Sequence, residues 1–323
     1  LNALHDHFGR RFRKLRISLT HACNFRCTYC RPAQGVAVPP ESQLLSFDDI
    51  VRVTRVARSF GMNRIRLTGG EPLLRQNVVE LVRRLRDEVG LDGLGMTTNA
   101  TRLPAMAMRL VDAGLRSVNI SLDTVNRRTA AELARADVLA EILLGIDAAM
   151  GAGLTVKLNA VIVPDVNDDA ADLAALVDFT EEHRLPLRFI EYMPMGSVDV
   201  GTVTAAEIRR RLSSVGVPLT PKPRHHPADP AEPFVTDAGH EIGFIHSISD
   251  HFCDACDRMR LTAEGTLRPC LHQDAEVDLR PVLHDDDALT AAFTQAASLK
   301  WAGHRIRDFV PLTVRREMVT LGG

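Results

Sequence analysis

Leu15-Arg16-Ile17-Ser18-Leu19-Thr20 runs directly into His21-Ala22-Cys23-Asn24-Phe25-Arg26-Cys27-Thr28-Tyr29-Cys30. The first six residues alternate apolar and polar side chains, the period of a strand, and a loop with three cysteines follows. Outward from there the alternation of element types continues. Strand-like stretches recur at residues 64–68, 94–98, 117–122, 155–163 and 187–191. Helical patterns fill the intervals. One opens at Ser46-Phe47-Asp48-Asp49 with a Ser cap and an acid three residues on, and closes at Gly61. Others lie at 78–89, 105–113, 136–152 and 169–183. Strict β/α alternation predicts a parallel sheet with helical crossovers, hence an α/β fold. Six units fall short of the eight of a closed barrel, so the expectation is an incomplete (β/α)6 TIM-type barrel.

After Glu191 the pattern changes. Residues 217–240 hold six prolines and mark a long loop or junction. Residues 241–283 hold short strand-like pieces, and 288–298 is helical. The division expected is a partial barrel over 1–200 and a smaller C-terminal domain over 201–323.

With 323 residues, 45% hydrophobic and 25% charged, the chain can bury a sizeable core and is not disordered. No run approaches the ~18 apolar residues of a membrane span. The first residues carry charge and His rather than a secretory apolar segment, so a cytoplasmic protein is expected. A net charge of −2 argues against nucleic acid and acidic membranes as partners, and no basic block or RNA motif occurs. Of the 39 basic residues only four are lysines: Lys14, Lys157, Lys222 and Lys300.

The six cysteines form two sets, Cys23-x3-Cys27-x2-Cys30 and Cys253-x2-Cys256-x13-Cys270. Two odd-numbered clusters are a poor disulfide layout and point to metal. Zinc wants a fourth ligand, which His21 would supply in the first set and His251 or His272 in the second. A four-iron cluster instead takes four ligands, so three thiolates leave one iron open for a substrate or cofactor. Gly69-Gly70-Glu71-Pro72 follows the second strand; its glycines let the backbone approach a ligand, and its peptide groups and carboxylate can hold an ammonium.

The segment from Thr20 to Cys30 resembles the radical S-adenosylmethionine superfamily, and Gly69-Gly70-Glu71-Pro72 looks like that superfamily's methionine-amine segment. Asp250-His251-Phe252-Cys253-Asp254-Ala255-Cys256-Asp257-Arg258-Met259-Arg260-Leu261 is similar to the C-terminal motif of the GTP 3′,8-cyclase family, which starts molybdenum-cofactor synthesis. So are Arg66-Leu67-Thr68, Thr97-Thr98-Asn99, Asn119-Ile120-Ser121-Leu122-Asp123, Val156-Lys157-Leu158-Asn159, Arg188-Phe189-Ile190-Glu191-Tyr192-Met193 and the final Gly322-Gly323.

The resemblance implies two [4Fe–4S] clusters, one on Cys23, Cys27 and Cys30 and one on Cys253, Cys256 and Cys270. It implies an S-adenosyl-L-methionine site lined by Tyr29, Gly70, Ser121 and Met193. Arg16, Arg66, Thr97, Lys157, Arg258 and Arg260 are implied to bind GTP. The catalytic set implied is Arg258, Arg260, Gly322 and Gly323, with the terminal glycines reaching into the site. An unidentified electron donor is implied as a partner, and a homodimer is kept as an option. The residues agree where they can: a triphosphate needs gathered cations, Arg16 and Arg66 alternate with apolar neighbours, and Lys157 interrupts an apolar run. Surface ion pairs for the arginines and an outward Lys157 are the alternatives.

Three departures stand out. Ala100 replaces a family Gly, His21-Ala22 replaces an Asp-Arg or Asp-Val pair, and the stretch from Lys300 to His304 matches only loosely. His225-His226 reads as solvated loop histidines. The rival readings are another two-cluster radical enzyme, such as a peptide-maturing one, and a non-catalytic iron–sulfur or zinc scaffold.

Overall fold

A computed structural model describes the whole chain except residues 1, 196, 225, 251, 304–315 and 323. Its strands are β1 Lys14–Ser18, β2 Arg64–Thr68, β3 Leu94–Thr98, β4 Leu115–Ser121, β5 Thr155–Ile162, β6 Leu187–Glu191, β7 Thr220–Pro221, β8 Ala231–Val235, β9 Glu241–Ile245, β10 Arg258–Leu261, β11 Thr266–Arg268 and β12 Val277–Asp278. Its helices are α1 Phe47–Ser59, α2 Val78–Asp87, α3 Leu103–Ala113, α4 Arg127–Ala134, α5 Leu139–Gly151, α6 Ala170–Glu182, α7 Ala205–Ser214, α8 Asp286–Ser298 and α9 Met318–Leu321.

Local chemistry explains the helix ends. Ser46 and Asp49 form a reciprocal capping box at the start of α1, with the Asp49 amide donating to Ser46 Oγ at 3.1 Å. Removing such a cap costs about 1 kcal/mol. Asp169 and Asp285 cap α6 and α8 with their side chains alone, each accepting from two backbone amides. Gly114 ends α3 at φ +117°.

All twelve strands join one sheet in the order β12-β11-β10-β1-β2-β3-β4-β5-β6-β9-β8-β7. The six expected strands run parallel at its centre. The sequence reading missed what extends them. β10 adds parallel to β1, and β9 adds parallel to β6, so chain beyond residue 200 lengthens both edges of the same sheet. β9 returns to β6 only after α7 and the strands β7 and β8, and β10 pairs with β1 from the far end of the chain, so simple β/α alternation could not announce them. The result is an open, incomplete (β/α)6 barrel with C-terminal additions.

Strand pleat splits the side chains. Leu15, Ile17, Ile65, Leu67, Met96, Val118, Ile120, Leu158 and Phe189 are all at most 2% exposed and form the core under the helices. Their alternates, including Arg16, Arg66, Thr97, Asn119 and Lys157, face the interior of the open barrel. Outside, α8 packs on α1, α1 on α2, α2 on α3 and α3 on α5. Among the described residues no helix is long and apolar enough to cross a membrane.

Candidate active site at the carboxyl ends of the strands

The first cysteine loop is stitched to the Gly-Gly segment. Gly70 N donates to Thr20 O at 2.7 Å and Glu71 N to Ala22 O at 2.8 Å. A Cβ on Gly70 would lie 2.4 Å from Ala22 O, and one on Gly69, at φ +147°, would lie 2.6 Å from Thr20 O. These glycines therefore admit the cysteine loop's own carbonyls. Glu71 also differs from the sequence reading. Its carboxylate, 1% exposed, accepts from Leu73 N at 3.0 Å, Thr98 Oγ1 at 2.8 Å and Asn99 N at 2.8 Å. It ties the end of β2 to the end of β3 before any ligand is considered. Burial, only partly offset by these donors, pushes its carboxyl up to about 7.

The three thiols lie close enough to influence one another's ionisation. Burial raises Cys23, raises Cys27 well above its ordinary value with Cys30 as the next cause, and pushes Cys30 up to about 12 with Cys23 as the next cause. Cys30 and Cys23 oppose ionisation of Cys27, and Cys23 that of Cys30, an environment in which a soft, positively charged metal centre would favour the thiolates. Among the described residues no three His, Cys, Asp or Glu side chains converge as ligands of a single metal ion would. An iron–sulfur cluster takes its thiolates on separate irons, and the donor set fits it. Arg31 secures the loop by donating to the carbonyls of Cys23 and Phe25.

The residues expected around S-adenosylmethionine come from four strand ends: Gly70 after β2, Ser121 at the end of β4, Met193 after β6, and Tyr29 from the cysteine loop. Tyr29 and Ser121 line one small cavity with Cys27 and Asp123. Tyr29 Oη donates to Asp123 Oδ2 at 2.7 Å, and Asp123 Oδ1 accepts from Val161 N at 2.9 Å. Burial pushes the Asp123 carboxyl up to about 6. Met193 meets His272 Nε2 through its sulfur at 3.2 Å and packs beside Met195, Met318 and Leu321.

The strand register assembles the cations. Arg260, Arg16, Arg66 and Gly95 stand in one row across β10, β1, β2 and β3, and Thr97, Asn119 and Lys157 in another across β3, β4 and β5. Gly95 makes room for the Arg66 guanidinium, whose Nη2 would lie 2.8 Å from a Cβ there. Burial, then Arg260, Arg66 and Arg258, pull Arg16 well below its usual range. Burial and then Arg188 pull Lys157 down. Among the described residues Arg16, Arg66, Lys157, Arg188 and Arg260 make no ion pair with a carboxylate. Arg16 Nε, Thr97 Oγ1 and Asn159 Oδ1 are buried without hydrogen-bond partners. The interior is a well of fixed positive charge with unused polar atoms, which suits a polyanion. Surface ion pairs are not what the arginines make. The sequence reading did not single out Arg188 as a site residue, although it alternates with Leu187 and Phe189 as Arg16 does with Leu15 and Ile17.

Arg258 and Arg260 lead from this well to the second cysteine set, and Arg258 lies over the Phe252 ring. Arg260 holds the end of the chain: its Nη1 donates to Gly322 O at 2.8 Å and Leu321 O at 3.2 Å. Gly322, buried at φ +69°, sits against Thr68 and Ser18, where a Cβ would come within 2.7 Å of Thr68 Cγ2. The tail thus reaches the tips of β1 and β2. Gly323, His225 and His251 lie outside the described residues. His226 Nδ1 accepts from Ala228 N at 3.0 Å, a loop-shaping contact. Ala100 takes φ +68°, the left-handed conformation that the family's Gly adopts freely.

A partial barrel with a three-cysteine loop after its first strand is the architecture of the radical S-adenosylmethionine enzymes, and comparison bears this out. Residues 17–177 match the model of the radical SAM superfamily, and residues 185–306 match Molybdenum Cofactor Synthesis C. A GTP 3′,8-cyclase of Moorella thermoacetica is 44% identical over 313 residues, covering 94% of this chain and 96% of that protein. One of Pelotomaculum thermopropionicum is 40% identical over 333 residues, covering 99% of this chain and all of the relative. The chain belongs to the GTP 3′,8-cyclase family. Streptococcus suis SuiB, solved with S-adenosylmethionine, shares the fold at a TM-score of 0.59 and 15% identity, covering 97% of this chain and 76% of that one.

Proposed function

We propose that the chain converts GTP to 3′,8-cyclo-7,8-dihydro-GTP, the first step of molybdenum-cofactor synthesis, with S-adenosyl-L-methionine and two [4Fe–4S] clusters. Residues 1–200 form the barrel that houses the first cluster, and 201–323 the part that carries the second cluster and the tail. The observation that carries this reading is the row of cations without carboxylate partners between the two cysteine sets.

When bound, the first cluster and S-adenosylmethionine supply a 5′-deoxyadenosyl radical that takes hydrogen from ribose C3′. The chain's residues do the rest by placement. Arg16, Arg66, Lys157 and Arg188 hold the triphosphate, the arginines as forked donors and Lys157 as a point charge. Thr97 Oγ1 supplies a further donor. Tyr29, Ser121, Gly70 and Met193 face S-adenosylmethionine. Arg258 and Arg260 border the nucleotide where it meets the second cluster, and Arg260 presses the tail over it. A site closed in this way keeps C3′ near the radical and C8 near C3′ while excluding water. New C3′–C8 bond formation, followed by one electron and one proton, gives the product.

A separate electron donor belongs to this reading. A cytoplasmic setting is supported by six cysteines that are all free thiols in the structure. The net charge of −2 favours a small-molecule substrate over nucleic acid.

Equilibrium binding tests the role of the well. GTP is expected to bind far more tightly than guanosine, and Arg66→Ala is expected to remove most of that preference. Equal affinity for GTP and guanosine would contradict it.

A further inference from the structure

Lys300 is buried, at 4% exposure, beside the second cysteine set. Its Nζ donates to Pro269 O at 2.7 Å, to Arg258 O at 2.9 Å and to Cys256 Sγ at 3.5 Å. That uses all three ammonium donors. Phe12 covers it, with the ring centroid 4.9 Å from Nζ. No carboxylate among the described residues pairs with it; two of its acceptors are neutral carbonyls. A buried ammonium without an anion is expensive. The acceptor able to carry a full negative charge is the Cys256 sulfur.

The position is fixed from both sides. Leu299 O accepts from Gln273 Nε2 at 2.5 Å, and Trp301 N donates to Gln273 Oε1 at 3.3 Å. Arg10 binds the next two carbonyls, Trp301 O at 2.5 Å and Ala302 O at 2.7 Å, and with the same guanidinium the Cys253 carbonyl at 2.7 Å. Asp6 holds Arg10 by an ion pair of 2.6 Å. The segment carrying Lys300 is therefore bolted to the turn carrying Cys253 and Cys256.

Among the described residues no lysine or arginine donates to a sulfur of the first set; Arg31 donates there to the carbonyls of Cys23 and Phe25.

We propose that Lys300 is a positioning residue for the second cluster: it holds Cys256 toward iron and, as a fixed cation hydrogen-bonded to a ligand sulfur, raises that cluster's reduction potential relative to the first. Hydrogen bonds and charge at ligand sulfurs are the levers by which proteins set such potentials. The inference rests on the second set holding a cluster, which iron and sulfide content reports independently.

The test is a redox titration of the full-length, anaerobically reconstituted protein, followed by electron paramagnetic resonance. The signal perturbed by S-adenosylmethionine marks the first cluster. Lys300→Met is expected to move the second cluster to a more negative potential and leave the first in place, while Lys300→Arg, which keeps the charge, returns most of the shift. Loss of the second cluster alone in Lys300→Met, with circular dichroism unchanged and loading restored by Lys300→Arg, would equally support the holding role. An unchanged second potential, an equal shift of both clusters, or loss of both clusters in both variants would overturn it. Iron for only one cluster in the unmutated protein would overturn the two-cluster reading instead.

Discussion

Arg260 of β10 donates to the carbonyl oxygen of Gly322 at 2.8 Å, and so binds the end of the chain to the strand that lies beside β1. One residue thereby belongs to both the cationic well and the tail. Deleting Gly322 and Gly323 should leave folding, both clusters and S-adenosylmethionine cleavage in place. Cyclic product is expected to fall about 100-fold or more, some 2.7 kcal/mol of lost transition-state stabilisation. Product analysis at constant cluster content checks this; unchanged turnover would remove the tail from the site.

Gly322→Ala is a finer probe. The new Cβ would lie 2.7 Å from Thr68 Cγ2 in a backbone with φ +69°, a strain of about 1–3 kcal/mol. A four-residue helix at the chain end yields more easily than a β-strand, so turnover should drop about tenfold with little change in Tm. Thr68→Ser removes the opposing methyl and is expected to recover part of the loss. No recovery in the double variant would contradict the contact.

Glu71 makes stability depend on pH. Its carboxyl rises from an ordinary 4.5 to about 7 in the folded chain, so the folded state holds a proton that the unfolded state releases. The stability linked to that proton is fully present below pH ~4.5 and is lost as pH rises to ~7, roughly 3 kcal/mol in all. Glu71→Gln should abolish this part of the slope. Urea unfolding of both proteins across that range measures it, and parallel slopes would sink the assignment.

Arg316 anchors the base of the tail between two carboxylates, 3.3 Å from Glu264 and 2.8 Å from Glu276. Glu264 also meets His21 of the first cysteine loop at 3.2 Å, and Ser197 donates through N and Oγ to Glu317. Because Arg316 is partly exposed, Arg316→Ala should weaken the anchor by only about 1 kcal/mol. Carboxypeptidase should release the terminal residues about fivefold faster. Unaltered release would leave Arg260 and the Ser197–Glu317 contact as the tail's anchors among the described residues.

Cys253→Ser separates the two cysteine sets. S-adenosylmethionine binding and cleavage are expected to survive while cyclisation stops, as read by deoxyadenosine and nucleotide products together. Full cyclisation would refute the role of the second set.

The legible part of this protein was whatever is written in local pattern. Strands such as Arg64–Thr68 and Leu187–Glu191 show their two-residue period and stand where expected. Both cysteine sets are visible as spacing. Short helix α4, Arg127–Ala134, was hidden because its buried face, Thr129, Ala130, Leu133 and Ala134, carries a single large apolar side chain. What depends on distant chain was not legible. Glu71 reads as a ligand carboxylate until β3 delivers Thr98 and Asn99 to it. The close approach of the Thr20 and Ala22 carbonyls adds a second demand for glycine at Gly69 and Gly70 that local sequence does not show. Asp123 becomes a site residue only when Tyr29 arrives from the cysteine loop.

The central claim is that this barrel holds GTP with C3′ at the radical. Reduced, reconstituted protein given S-adenosylmethionine and GTP deuterated at C3′ tests it in one mass-spectrometric measurement. Deuterium should appear in 5′-deoxyadenosine together with a cyclised GTP product. Deoxyadenosine without deuterium would keep the radical chemistry and contradict GTP as its target.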